Sequence, residues 1–204
     1  MPALIRLQQP ESLLDGDLDF YPDAISAADA DVLLRQLQQE LPWASATIRV
    51  YGKEHVIPRL QCWLGDAGLA YTYSGQRMEP LPWHPRLHSM AQVLAGQLAV
   101  PFNSVLCNLY RDGTDGMGWH ADNESELGTA PCIVSVSLGA TRDFALRRVG
   151  ESRQWGTLPL SHGSVLVMNA GMQSRWQHAV PKRAGIPSAR INLTFRYLQP
   201  EPLA

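Results

Sequence analysis

A chain of 204 residues, 45% hydrophobic and 18% charged, is long and apolar enough for one sizeable core, which excludes a disordered chain. A formal net charge of -2 excludes a surface coated in basic residues, although a local basic patch facing phosphate remains compatible with it. No apolar run is long enough to cross a bilayer and the first residues show no charged-then-apolar signal pattern, so the expected location is the cytoplasm, or the nucleus of a eukaryote, with no membrane partner.

Residues 1–20 are expected to be an extension ahead of a single domain spanning 21–204. Asp15, Asp17 and Asp19 alternate within it. A calcium loop beginning at Asp15 needs Gly at its sixth position and Glu at its twelfth, where Phe20 and Ser26 stand, so the stretch is expected to be a solvated acidic segment. A helix is predicted to start at Ser26, with Asp29 as a partial capping box, and to end at Pro42. Val32, Leu33, Leu37 and Leu41 give it an apolar face. Arg49-Val50-Tyr51-Gly52-Lys53 places apolar groups beside a Gly turn with a cation on each side. A second helix is predicted over 85–98, with Pro85 in its first turn and Leu87, Met90, Val93, Leu94 and Leu98 at helical spacing. Both helices are expected to brace a sheet.

From Phe102 onward the pattern changes to short strands over 104–110, 132–138, 144–148, 164–169 and 190–197. Many short strands with turn signals predict a β-sandwich or barrel, and helices preceding strands predict that the helices pack on one outer face. The fold class is therefore mainly β with flanking helices (α+β). Cys62, Cys107 and Cys132 form no C-x-x-C motif and lie in apolar surroundings, which predicts buried thiols in a reducing compartment rather than a thiolate zinc site.

His120 and Asp122 are two residues apart. On a strand that spacing turns both side chains to one face. His178, just before the last strand, offers a third ligand. Two imidazoles and a carboxylate leave three positions of an octahedron open, as non-haem iron(II) oxygenases need for co-substrate and O₂. The H-x-D spacing by itself fits two loop residues after the Gly-rich 112–118 stretch equally well. His55, His84, His88 and His162 sit near predicted turns or helix starts and are expected to be surface or capping residues.

The last strand adds a second constellation. Arg190, Asn192, Thr194 and Arg196 alternate with Ile191, Leu193 and Phe195. An edge strand with a wet face explains the alternation. It explains two guanidinium groups flanking Asn and Thr less well. Planar cationic forks suit the carboxylates of a dicarboxylate co-substrate. Asn108 and Tyr110 share a face of the 104–110 strand and are able to hydrogen-bond the same ligand, or to serve as a structural amide and a half-buried Tyr.

Taken in order, Pro58-Arg59-Leu60, Gly65-Asp66-Ala67-Gly68, Tyr71-Thr72-Tyr73-Ser74-Gly75, Phe102-Asn103-Ser104, Asn108-Leu109-Tyr110, His120-Ala121-Asp122, Val136-Ser137-Leu138-Gly139-Ala140-Thr141-Arg142, His162-Gly163-Ser164 and the Arg190 to Arg196 strand resemble the AlkB family of oxygenases, especially its nucleic-acid repair branch. The resemblance implies a double-stranded β-helix (jelly roll) core. It implies iron(II) held by His120, Asp122 and His178, 2-oxoglutarate held by Asn108, Tyr110, Arg190, Thr194 and Arg196, and O₂ as the second co-substrate. The implied reaction is oxidative dealkylation: 2-oxoglutarate gives succinate and CO₂, and the N-alkyl group is hydroxylated and leaves as an aldehyde. No residue beyond the metal ligands is needed as a catalyst. His162 falls in a turn of the motif and is read as structural.

The implied partner is alkylated DNA, with RNA open, and a monomer with no obligate protein partner is expected. A nucleotide-recognition segment is implied over about 45–80. A duplex base must be flipped to reach a buried iron. Tyr71 and Tyr73 match aromatic positions near the family's substrate pocket, although two core aromatics on a strand would look the same. Val50, Tyr51, Gly52 and Lys53 match a hairpin that wedges apart base steps in duplex-repair members, or form an ordinary hairpin packed on the domain. Arg111, Arg142, Arg147, Arg148, Lys182 and Arg183 contribute a basic rim or are solvated surface charges. The sequence departs from its close repair relatives at Asn123, where they carry a second acidic residue after H-x-D, and Glu124 follows. An amide adds a donor and loses the charge, so the lesion range or the rate is expected to differ.

Overall fold

The computed structural model describes residues 4–50, 53–69, 71–73 and 76–199, of which 48–50, 53–54, 71–73 and 76–78 are described in backbone only. Short strands β1 (Glu11–Leu13) and β2 (Leu18–Tyr21) precede helix α1 (Ala27–Glu40). The hairpin β3 (Ala44–Val50) and β4 (Lys53–Gly65), the pair β5 (Tyr71–Tyr73) and β6 (Gln76–Met78), and helix α2 (Pro85–Leu98) follow. Then come β7 (Ser104–Tyr110), β8 (Met117–His120), β9 (Ile133–Gly139), β10 (Arg142–Arg148) and β11 (Gly156–Leu160). The chain continues through β12 (Val165–Met168), the single turn α3 (Met172–Arg175), β13 (Trp176–Val180) and β14 (Arg190–Arg196).

A larger sheet runs β1-β2-β12-β9-β14-β7-β4-β3, and a smaller one runs β11-β10-β13-β8. All their pairings are antiparallel. The period-2 alternation of the strands decides what each face meets. One face of the large sheet carries Cys62, Leu64, Val105, Cys107, Val134, Val136, Ile191, Leu193 and Phe195. It packs against Leu33 and Leu37 of α1 and Leu87, Met90 and Leu94 of α2. The other face turns toward the small sheet, where Leu18, Phe20, Ile133, Leu166 and Met168 meet Phe144, Leu146, Leu160 and Trp176. The expected β-sandwich with helices on one outer face is therefore the jelly-roll arrangement of the structure.

The helices follow their sequence signals. Ser26 Oγ accepts from the Asp29 N–H at 3.2 Å and donates to Asp29 Oδ2 at 2.7 Å, and α1 stops ahead of Pro42. Val32, expected on its apolar face, is 45% exposed instead, because Ala30, Leu33 and Leu37 form the buried stripe. Helix α2 has Pro85 at its start, as predicted. The hairpin pairing is also present, with Arg49 opposite Glu54 and Val50 opposite Lys53. Tyr51 and Gly52 lie outside the described residues, as do the side chains of Val50, Lys53, Tyr71 and Tyr73.

The acidic stretch near the N-terminus is not a solvated segment. β2 pairs with β12 inside the large sheet, and Asp17 is 4% exposed. Its carboxylate accepts from Arg175 Nε at 2.8 Å, from Arg175 Nη2, and from Trp176 Nε1 at 3.1 Å. The Arg175 hydrogen bonds hold its pKa below the usual carboxylate range against the opposing effect of burial. A charged side chain is buried here because a fixed cation and an indole N–H replace its water.

Candidate metal and co-substrate site

The three predicted metal ligands converge from different elements. His120 ends β8 and is the Cα partner of His178 on β13, so both rings project inward from adjacent strands, with centroids 4.2 Å apart. The strand stops at His120, so Asp122 is not held by the strand geometry expected for H-x-D. Two hydrogen bonds bring it in instead. Its backbone N–H donates to Gln173 Oε1 at 2.9 Å, and its Oδ1 accepts from Arg196 Nη2 at 2.8 Å. One ligating atom from each of His120, Asp122 and His178 then lies within 4.8 Å of the others.

The protonation states suit a dication. His120 Nδ1 is 2.9 Å from the Gly118 carbonyl, which can only accept, so Nδ1 is the donor there and Nε2 is the nitrogen turned toward Asp122. Burial, with His120 alongside, pushes His178 down to about 3, so its imidazole is neutral. Phe144 stacks on it at 4.9 Å. Burial acts against the Asp122 charge, but Arg196 above all outweighs it, and the carboxyl stays below its usual range.

Beside these residues, β14 and β7 lay out the second constellation. Arg190 opposes Tyr110 and Asn192 opposes Asn108. The face carrying Arg190, Asn192 and Thr194 is buried, so β14 is an interior strand covered on both sides, and its polar face lines a cavity rather than water. That cavity is bounded by all eight predicted residues: His120, Asp122, His178, Asn108, Tyr110, Arg190, Thr194 and Arg196. Arg190 is 1% exposed and donates from Nη2 to Ser137 Oγ at 2.9 Å, while its Nε and Nη1 are buried without a hydrogen-bond partner among the described residues. Its guanidinium carbon lies 5.3 Å from the Tyr110 ring. Burial pushes its pKa down to about 10, which leaves it cationic at neutral pH. A buried cation with two unused donors calls for an anion, and a carboxylate of 2-oxoglutarate fits that requirement.

Several participants escaped the sequence reading. Arg59 on β4 is buried and donates from Nε to Asn108 Oδ1 at 2.8 Å, which turns the Asn108 amide nitrogen to the cavity as a donor. Ser135 and Ser137 on β9 support Asn192 and Arg190. Gln173 holds Asp122. The signal for Arg59 was its place with Gln61 and Trp63 on alternate positions of one strand. The signals for the serines were their alternation along β9.

A neighbouring cavity shares His120, Asp122 and Arg196 and is also lined by Arg59, Gln61, Trp63 and Glu124. Asn123 is exposed, so Glu124 is the residue after H-x-D that faces this space. Of the expected basic rim, Arg142 is 1% exposed and donates to the carbonyls of Asp112, Asp115 and Pro181, so it is a buried clamp between loops. Arg111 and Arg183 pair with Asp115 and Asp143. Arg147 and Arg148 lie over the rings of Trp119 and Trp176. His162 accepts the Gly139 N–H at Nδ1, 2.8 Å, and is structural as expected.

Paired antiparallel sheets around a largely buried His-Asp-His cluster, with a guanidinium beside it, fit the 2-oxoglutarate and iron(II) oxygenase class, and the profile of the 2OG-Fe(II) oxygenase superfamily matches residues 17–196. Two solved structures share the fold: OsALKBH1, with a TM-score of 0.62 and 18% identity over 95% of this chain and 99% of that one, and a 2OG-Fe(II) oxygenase family oxidoreductase from Burkholderia pseudomallei, with a TM-score of 0.57 and 20% identity over 89% and 85%. The chain is 40% identical to human alpha-ketoglutarate-dependent dioxygenase alkB homolog 3 over 89% of its own length and 66% of that protein's. It is 41% identical to the human DNA oxidative demethylase ALKBH2 over 86% of its own length and 71% of that protein's. It thus spans about two thirds of the length of these relatives. The chain belongs to the AlkB family of 2-oxoglutarate- and iron(II)-dependent dioxygenases, with iron(II), 2-oxoglutarate and O₂ as metal and co-substrates. Among the described residues no helix is long and apolar enough to cross a membrane.

Proposed function

We propose that the protein oxidatively removes N-alkyl groups, such as those of N1-methyladenine and N3-methylcytosine, from DNA, and so acts in DNA repair. The observation that carries this reading is the buried Arg190 guanidinium, with unused donors, in the same cavity as His120, Asp122 and His178. The three ligands hold the iron, and Asn108, Tyr110, Arg190, Thr194 and Arg196 hold and orient 2-oxoglutarate. Iron with 2-oxoglutarate and O₂ supplies oxidation of the N-alkyl carbon, with succinate, CO₂ and an aldehyde as products beside the restored base. The protein contributes position and dryness: Leu106, Phe144, Leu160, Met168 and Val180 line the cavity and keep water from the reacting atoms.

The substrate base enters beside Glu124, whose carboxylate accepts from an exocyclic amino group. Tyr71 or Tyr73 stacks on the base, which is a use that strand β5 allows because both lie on one face. Val50, Tyr51, Gly52 and Lys53 form the wedge and phosphate contact on the duplex. The names of the human and Arabidopsis thaliana relatives, DNA oxidative demethylase ALKBH2, support DNA as the substrate. The protein acts as a monomer where the genome lies: the cytoplasm of a bacterium or the nucleus of a eukaryote.

The test is mass spectrometry of methylated oligonucleotides, single- and double-stranded DNA and RNA, incubated with the protein, iron(II) and 2-oxoglutarate. Loss of methyl mass from DNA with release of formaldehyde is expected. Turnover of RNA alone would move the substrate to RNA, and turnover of neither would remove nucleic acid from the reading.

A further inference from the structure

Asp122 lies beyond the end of β8, so strand pairing does not hold its backbone. Gln173 does. Its Oε1 accepts the Asp122 N–H at 2.9 Å, and the side chain is almost wholly buried. A buried amide needs partners at both ends. Gln173 Nε2 has one in Met168 Sδ at 3.4 Å, so the amide is fixed with its acceptor toward Asp122.

Gln173 sits on α3, a single turn that is itself pinned. Gly171 enters the turn at φ 95, a left-handed conformation that suits glycine. The Met172 N–H donates to the Asn169 carbonyl at 3.0 Å, and the Met172 side chain is fully buried. Asp17 grips the far end through Arg175 and Trp176. β13 starts at Trp176 and reaches His178 two residues later. One short turn therefore leads along the chain to His178 and hydrogen-bonds the backbone of Asp122.

We propose that Gln173 is a positioning residue for the metal. Its Oε1 fixes the Asp122 backbone, and so the direction of the Asp122 carboxylate, before a metal binds. The inference rests on His120, Asp122 and His178 being the metal ligands. A partner that orients a ligand raises metal affinity because less ordering remains to be done on binding, and removing such partners weakens binding by about 10- to 100-fold.

The test is calorimetric titration of metal-free protein with Mn(II), a redox-stable stand-in for iron(II), with no nucleic acid present. Gln173→Met has nearly the length of glutamine but cannot accept the Asp122 N–H. Gln173→Glu keeps an acceptor oxygen. Expected are Mn(II) binding weakened by about 10-fold or more in the Met variant, recovery in the Glu variant, and a metal-free Tm within about 4 °C of wild type. Wild-type Mn(II) affinity in the Met variant would overturn the role. So would weakened binding that tracks a larger fall in Tm and that Glu does not restore, since that pattern is packing. Wild-type protein that binds no Mn(II) would overturn the metal site itself, independently of any result with nucleic acid.

Discussion

Arg196 Nη2 donates to Asp122 Oδ1 at 2.8 Å, which ties the last residue of β14 to the carboxylate proposed to bind iron. The same strand carries Arg190, Asn192 and Thr194 on the cavity face. The proposed metal and co-substrate sites are therefore joined through one strand. Asp122 is deeply buried, and against that burial the Arg196 guanidinium, more than His178 or His120, holds its carboxyl below the usual range.

Arg196→Met should thus weaken both sites at once. The lost charge-assisted hydrogen bond corresponds to about 1.5–3 kcal/mol, or roughly 10- to 100-fold in affinity. Titration with Mn(II), and with 2-oxoglutarate in the presence of Mn(II), should show both affinities falling. A loss confined to 2-oxoglutarate would place Arg196 in the co-substrate site alone.

Arg190 should separate from Arg196 in the same assays. Among the described residues its side-chain hydrogen bond is to Ser137, and its guanidinium faces the Tyr110 ring. Arg190→Met should raise the apparent KM for 2-oxoglutarate by about 10-fold or more and leave Mn(II) binding alone. Arg190→Lys should recover little of the loss, because an ammonium cannot present the planar fork. Full recovery by Lys would reduce the role of Arg190 to a point charge.

What the sequence disclosed and what it hid divide by range. Strand β7 and helix α2 occur at the residues their periodicity predicts, because the buried face of each is written in consecutive residues. The alternation of β14 likewise marked the polar wall of the cavity proposed to hold 2-oxoglutarate. Burial of Asp17 depends on Arg175, 158 residues away, and the placement of Asp122 depends on Gln173, 51 residues away. Local pattern reads Asp17 as a surface acid and Gln173 as an ordinary polar residue, since nothing near either one announces its partner. The H-x-D spacing pointed to residues that the structure does bring together, but not by the strand geometry it suggested: the strand ends at His120, and distant side chains complete the arrangement.

The Asp17 clamp predicts a pH dependence. Its folded-state pKa lies below the ordinary value of 3.8, chiefly through Arg175. The clamp's stabilisation is therefore fully present above about pH 4 and is lost as the pH falls through the folded-state value. Asp17→Asn should lower unfolding stability at pH 7 by about 1.5–3 kcal/mol in denaturant melts. The wild-type and variant curves should converge as the solution is acidified below about pH 4. A constant gap down to low pH would mean that packing, not charge, sets the effect.

The hairpin prediction concerns strand preference. Val50 and Lys53 are paired across the end of β3 and β4, with Tyr51-Gly52 between them in sequence. If Tyr51 wedges a base step, it helps only where a partner base must be replaced. Tyr51→Ala should lower kcat/KM on methylated duplex DNA by about 10-fold, consistent with an unstacking cost of a few kcal/mol, and leave single strands nearly unchanged. Equal losses on both would refute the wedge.

Glu124 and Asn123 give the last separation. The family resemblance implies an acid directly after H-x-D, whereas here that position is the exposed Asn123, and Glu124 lines the cavity beside His120. A carboxylate accepts from an exocyclic amino group without competing as a donor. Glu124→Gln should therefore reduce kcat/KM for N1-methyladenine and N3-methylcytosine, which bear such groups, by about 10-fold, the scale of one charge-assisted hydrogen bond. Asn123→Ala should change it little, because its side chain is turned to solvent. Larger losses from Asn123 than from Glu124 would return base recognition to the position directly after the metal-binding motif.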